Sequence, residues 1–262
     1  MSPSGTVTGE RVNTAEGGFN PTWQRHVAAY RLCAGRLPPG RVLDLGCGVG
    51  HSYELLAPRE TVGVDLEPAA LAGQERETHV ADMRELPFDD GSFDSVLSVH
   101  SLEHIPDPER VLAEAGRVLR PDGSAVAVFV TPNRLTFGVP DEIIDPYHYI
   151  EFDPDQIAEQ CSPFFERAEI LGIAGSERYQ GLVSEQRERL LALLRRDPAR
   201  LRRLVPRGAR QRLYDWMLTR ERRQPDRVAT EITPDDFELV TDGLREALDL
   251  VAICEGPRPG AV

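Results

Sequence analysis

Apolar residues gather in short blocks at 42–45, 62–65, 94–99 and 124–130. Between some of them, at 68–73 and 107–119, apolar positions recur at helical spacing. Short continuous apolar runs suit strands buried on both faces, and their alternation with helices predicts a mostly parallel, doubly wound α/β sheet. Upstream, residues 20–37 predict an amphipathic helix with Trp23, Val27, Tyr30 and Ala34 on one face, ended by Pro38-Pro39-Gly40. Downstream, Asp153-Pro154 predicts a helix start running to Cys161, followed by a strand over 165–173. Residues 233–247 predict one more helix and 248–254 a last strand.

The first block runs straight into a turn, Val42-Leu-Asp-Leu-Gly-Cys-Gly-Val-Gly50. Glycines at 46, 48 and 50 let the backbone bend sharply and approach a ligand with no Cβ in the way. A dinucleotide fingerprint requires a further glycine at position 51, which is His51 here, so a NAD-dependent oxidoreductase is disfavoured. A P-loop requires lysine, and the chain has none, which also excludes Schiff-base chemistry on lysine.

The turn resembles the first motif of the class I S-adenosylmethionine-dependent methyltransferases, and four further segments match that family in order. Val62-Gly-Val-Asp65 resembles its second strand, ending in an acid that binds the ribose hydroxyls. Ala81-Asp82-Met83 resembles the turn after strand three, where the acid takes the adenine amino group and the next side chain covers the ring. Leu86-Pro-Phe-Asp-Asp-Gly-Ser-Phe-Asp94 resembles the loop into strand four, and 96–123 resembles strand four, the helix after it and the turn into strand five. The resemblance implies a Rossmann-like fold whose last strand is antiparallel and lies beside strand six. It implies S-adenosyl-L-methionine as cofactor, held by Asp44, Gly46, Cys47, Gly48, Asp65, Leu66, Asp82, Met83, Val99 and His100.

Transfer of a sulfonium-bound methyl needs alignment of nucleophile and sulfur, and an oxygen acceptor also needs somewhere to send its proton. Two segments offer a base. His100-Ser-Leu-Glu-His104 follows strand four, and Tyr147, His148 and Glu151 lie in the stretch after strand five. Ligands of open α/β sheets sit beyond the carboxyl ends of the strands, which brings both segments toward the site. His148 is the preferred base, with Glu151 to orient it and His104 as a second candidate. Each also has a plainer reading: His148 as a packed loop histidine, His104 as a turn-fixing hydrogen bond, Glu151 as a carboxylate at a helix entry. No clustered ligand spacing indicates a metal.

The organisation expected is an N-terminal helical lid (1–39), a cofactor-binding core (40–175), an arginine-rich helical cap insertion (176–232) and a C-terminal helix and strand completing the core (233–262). The insertion stands out by charge. Residues 187–227 carry fourteen arginines and five acids in a chain of net charge −13. They form either a solvated amphipathic subdomain or an arginine-lined mouth for an anionic acceptor. A net acidic chain lacks the broad basic footprint of a nucleic-acid binder. No apolar stretch approaches the roughly 18 residues of a membrane span, and the N-terminus does not resemble a secretory leader, so a cytoplasmic location without membrane insertion is expected. Cys33, Cys47, Cys161 and Cys254 are too scattered for a zinc site.

The acceptor expected is a small molecule, foremost a hydroxyl of a sugar-containing or secondary metabolite, because the segment after strand five is similar to that of methyltransferases in such pathways. A quinone- or lipid-type acceptor, or a non-catalytic cofactor-binding protein that uses the arginine-rich arm for a partner, are the alternatives. A homodimer is compatible with the sequence.

Overall fold

The computed structural model describes residues 21–50, 53–139, 142–195, 197, 204–222, 227–258 and 260. Five parallel strands come first: β1 (Arg41–Leu45), β2 (Glu60–Asp65), β3 (Glu77–Val80), β4 (Ser95–Val99) and β5 (Val126–Pro132). β6 (Phe165–Gly175), β7 (Phe237–Val240) and β8 (Asp249–Pro257) complete one eight-stranded sheet of order β3-β2-β1-β4-β5-β8-β6-β7. β8 is antiparallel to both β5 and β6, as the expected last strand beside strand six should be. The central strands β4 and β5 are buried at every position, which is why they read as unbroken apolar runs rather than as alternation.

Helices α1 (Pro21–Ala34), α2 (Pro68–Leu71), α3 (Pro108–Val118), α4 (Arg134–Phe137) and α5 (Pro154–Cys161) accompany the core. One apolar cluster gathers Val111, Leu112, Ala115 and Val118 of α3 with Ile157 and Cys161 of α5 against the sheet. The other gathers Ala28, Ala29 and Cys33 of α1 with Leu97, Val128 and Val251. α5 begins where its sequence signal lies, since Asp153 and Gln156 form a reciprocal capping box, a contribution of about 1 kcal/mol.

Two expectations are corrected. α1 does not bury Trp23 and Val27 as its main face. Its buried residues are Arg25, Ala28, Ala29, Tyr30 and Cys33, and the rotation follows from Arg25, which enters the core to meet an acid. Residues 233–247 are not a helix. They form a 3-10 turn (Pro234–Asp236), strand β7 and a second turn in which Gly243 takes φ +65°. Asp236 fixes that outcome. Its carboxylate accepts from Thr233 N–H (2.8 Å), Ser176 Oγ (2.6 Å) and Arg178 Nη2 (2.6 Å), which ends the turn and delivers Phe237 to the free edge of β6. Phe237 then packs edge-on against Tyr179, with ring centroids 4.7 Å apart.

The insertion is helical as expected: α6 (Glu177–Leu194), α7 (Arg207–Arg222) and α8 (Arg227–Thr230). Its inner contacts are local. Arg207 donates to Pro146 O (2.7 Å) and Tyr147 O (3.1 Å) and lies 3.7 Å over the Tyr149 ring, while Tyr147 donates to Asp215 (2.7 Å). α7 is thereby latched onto the loop at 145–150. No described helix is long and apolar enough to cross a membrane.

The Arg178 guanidinium, Ser176 and the Thr233 amide hold the Asp236 carboxyl well below the usual carboxylate range. A depressed folded pKa contributes stability that is present above the unfolded value near 3.9 and lost as pH falls through the folded one. Asp236→Asn should lower stability by about 2 kcal/mol at pH 7, and its urea midpoint should fall less steeply than that of the wild type below about pH 4. Parallel midpoint curves for the two proteins would contradict the assignment.

Candidate functional site

The turn after β1 follows the Gly46–Gly50 pattern because all three glycines take positive φ, +67°, +53° and +67°. A Cβ on Gly46 would meet Ser101 Oγ at 2.2 Å, whereas one on Gly48 would meet no atom within 4 Å and would project into open space. At the end of β2, buried Asp65 accepts from Gly48 N–H (2.9 Å) and Glu67 N–H (2.9 Å), tying the two strand ends together. The result is a cavity of about 180 Å³ over the carboxyl ends of the first strands.

Gly46, Cys47, Gly48, Asp65, Leu66, Met83, Val99, His100 and His104, all singled out in the sequence, line this cavity. Asp44 and Asp82 do not. Asp44 is fully buried beneath the turn, where Tyr30 Oη donates to it (2.8 Å) and Arg76 Nη2 lies 2.8 Å away. Asp82 turns its carboxylate to Arg84, which donates from Nη2 (2.6 Å) and from its backbone N–H (2.9 Å). Cys47 is a packed thiol, pushed up to about 12 by burial and the Asp44 charge. The four cysteines are free and buried.

His26, Tyr30 and Ser101 line the cavity without having been singled out as site residues. Tyr30 could have been found, because it sits on the predicted face of α1. Three others carry the site from behind: Arg25, Glu103 and Asp249. Arg25 Nε donates to Asp249 Oδ2 (2.7 Å) and its Nη2 to Leu248 O (2.9 Å). His100 stands between two acids, with Nε2 3.4 Å from Asp249 Oδ1 and Nδ1 3.5 Å from Glu103 Oε1, at ion-pair range. Thr131 Oγ1 donates to the other Glu103 oxygen at 3.3 Å.

His100 reaches that position through φ +51°, a left-handed conformation that costs a non-glycine residue of order 1 kcal/mol. Burial disfavours its imidazolium, but the Asp249 and Glu103 carboxylates outweigh this and raise its pKa to about 9. Burial likewise disfavours ionised Glu103, and the neighbouring histidines overcome it, bringing its pKa to about 2. Asp249 is held well below the usual carboxylate range, its burial opposed by Arg25 and His100. Arg25, Asp249, His100 and Glu103 thus form an alternating row of two cations and two anions at neutral pH.

The remaining candidates meet beside this row. Glu103 O accepts from Tyr149 N–H at 2.8 Å, which anchors the loop at 145–150 against the turn after β4. That contact brings His148 edge-on to His104, ring centroids 5.1 Å apart. His148 Nδ1 donates to Glu151 Oε1 at 2.9 Å. His104 borders the cavity, whereas His148 and Glu151 stand behind it. Burial disfavours the His148 imidazolium, yet the Glu151 hydrogen bond and the Glu103 and Asp145 charges raise its pKa above the usual histidine value. Glu151 also borders a separate groove of about 600 Å³ with Tyr149, Phe152 and Arg134.

The chain is similar to known proteins in both sequence and fold. A family model described as a methyltransferase domain matches residues 43–127. A probable S-adenosylmethionine-dependent methyltransferase of Mycobacterium tuberculosis is 35% identical over 160 residues, spanning 58% of this chain and 58% of that protein. A Mycolicibacterium smegmatis protein described in the same terms is 29% identical over 96% of this chain and 95% of its own length. Among solved structures, a Thermotoga maritima protein described as a SAM-dependent methyltransferase, possible histamine N-methyltransferase, superposes with TM-score 0.57 at 16% identity, covering 89% of this chain and 91% of that one. At that identity the likeness shows the fold.

Removing one partner of a buried ion pair costs about 3–5 kcal/mol, because the other charge is left buried. Arg25→Met should therefore destabilise the protein by that amount in urea unfolding, and adding Asp249→Leu should recover part of the loss. A single-variant effect below about 1 kcal/mol would remove Arg25 from its structural role.

Proposed function

We propose that this chain, whose residues 43–127 form a class I S-adenosylmethionine-dependent methyltransferase domain, transfers the methyl group of that cofactor to a hydroxyl of a small-molecule acceptor. The observation that carries the reading is the juxtaposition of two features. A glycine-turn cavity ends at Asp65, and at its border stands His104, edge-on to a His148 that is held by a carboxylate.

The residues fit the cofactor. Gly48 leaves room where a side chain would intrude, and Asp65 is buried at a strand end beside it. In this reading Asp65 accepts the ribose hydroxyls, Met83 and Leu66 flank the adenine, and the Gly46–Gly48 backbone meets the methionine portion. When bound, the cofactor supplies an electrophilic methyl on sulfur. The chain's own residues align the acceptor with it, an effect worth roughly 7–11 kcal/mol. His104 receives the acceptor oxygen at the cavity border, and His148 stands behind it with its ring held by Glu151. The hydroxyl must lose its proton as the carbon–oxygen bond forms, which is why basic groups are needed there. A sugar-containing or secondary metabolite is the acceptor class we favour, on the likeness of the segment after β5 to that of methyltransferases in such pathways.

Two variants test the division of labour. Asp65→Ala should weaken S-adenosylhomocysteine binding by about a hundredfold or more, since two charged hydrogen bonds are worth roughly 1.5–3 kcal/mol each. His148→Ala should lower kcat by about 10²–10⁴-fold in a radiolabelled methyl-transfer assay against hydroxylated acceptors, with S-adenosylhomocysteine affinity unchanged. Undiminished cofactor binding in the first variant, or undiminished turnover in the second, would overturn the corresponding role.

A further inference from the structure

Glu103, His104 and His148 each offer one ligand atom, and those three atoms lie within 4.8 Å of one another. The convergence is built by the backbone. Glu103 and His104 are adjacent in the 3-10 turn Leu102–His104, and the Tyr149 amide bonded to Glu103 O draws His148 across from a loop more than forty residues away. That separation is why ligand spacing along the chain gave no sign of it.

The hydrogen bonds around the cluster fix its protonation pattern. His148 Nδ1 faces the Glu151 carboxylate and His104 Nδ1 faces Tyr147 O at 3.3 Å. Both partners only accept, so both Nδ1 atoms carry a proton, which leaves Nε2 of each ring as the atom available to ligate. A carboxylate on the far nitrogen of an imidazole is the arrangement that orients metal-bound histidines and strengthens them as ligands. Glu103 is itself held, by Thr131 at one oxygen and His100 beside the other. Two imidazoles and one carboxylate suit a divalent transition metal, and three protein ligands leave coordination positions open.

We propose that Glu103, His104 and His148 bind one divalent cation of the Mn²⁺, Fe²⁺, Co²⁺ or Zn²⁺ type, which takes the acceptor oxygen in an open position. The proposal deepens the methyl-transfer reading and rests on it for the identity of the cavity. A hydroxyl bound to such a cation loses its proton more readily, and that proton passes to solvent water, so His104 and His148 promote the deprotonation as ligands of the cation rather than by taking the proton themselves. The freed oxygen lone pair forms the bond to the methyl carbon, and the carbon–sulfur bond breaks with its electron pair remaining on sulfur. His104 borders the cofactor cavity, so a cation held there would stand beside the acceptor oxygen, off the line from that oxygen to the methyl, rather than at a remote structural site.

The test uses the full chain, stripped with EDTA, dialysed, and titrated calorimetrically with Mn²⁺ and separately with Zn²⁺, with Mn²⁺ electron paramagnetic resonance on the same samples. One ion per chain is expected. His148→Ala and Glu103→Gln should each weaken it at least tenfold, and Glu151→Gln by about 10–100-fold through the orientation of His148. Should Glu103→Gln fail to fold, the His148 and Glu151 variants carry the comparison. Absence of a stoichiometric ion in the wild type, or an affinity untouched by His148→Ala, overturns the cation site. S-adenosylhomocysteine titrated into the same stripped wild type should bind normally, and its failure there would instead overturn the cofactor reading on which the proposal rests.

Discussion

The buried row Arg25–Asp249–His100–Glu103 is the interaction on which the rest of the site depends. It joins four elements from widely separated parts of the chain: α1, the start of β8, the turn after β4, and the short helical turn that follows it. Each charged side chain is at least nine-tenths covered, so each depends on its neighbours for compensation. The row therefore fixes how α1 lies over the sheet. Because Arg25 is committed to Asp249, the adjacent His26 stacks on His100 at 4.3 Å, and Tyr30 one turn further reaches Asp44 beneath the glycine turn. One ion pair thus positions the wall of the cavity from above and its floor from below.

The same row reaches forward to the chemistry. Glu103 uses its side chain to pair with His100 and its carbonyl to hold the loop at 145–150. That loop carries His148 and is gripped from outside by Arg207 and Asp215 of α7. The arginine-rich insertion is accordingly more than a solvated appendage at its inner face, where Arg207 spends its donors on two loop carbonyls and an aromatic ring. Leu213 and Trp216 of the same helix are each 58% exposed.

What the sequence disclosed was whatever is decided locally. The glycine turn, Asp65 at a strand end and the Asp153 cap depend on residues within a few positions of each other, and their chemistry leaves a direct mark on residue type. The mostly parallel α/β class followed from the alternation of buried runs with helical patterns, whereas the edge strand β7 did not. What stayed hidden depends on partners far along the chain. Arg25 drew no reading from the sequence, because its reason to be buried is Asp249, 224 positions away. Residues 233–247 carried a helical pattern, but Asp236 gathers donors from α6 and the edge of β6 offers Phe237 a ladder, and those long-range terms outweigh propensity. Asp82 was singled out by the resemblance of its turn, and its carboxylate pairs with Arg84 only two positions on, a local contact that the resemblance does not indicate.

The most direct test of the account is calorimetric titration of the unmodified chain with S-adenosylhomocysteine, run beside NADH under the same conditions. The cavity over the glycine turn predicts one-to-one micromolar binding of S-adenosylhomocysteine and none of NADH. No heat with S-adenosylhomocysteine, or tighter binding of NADH, would contradict it.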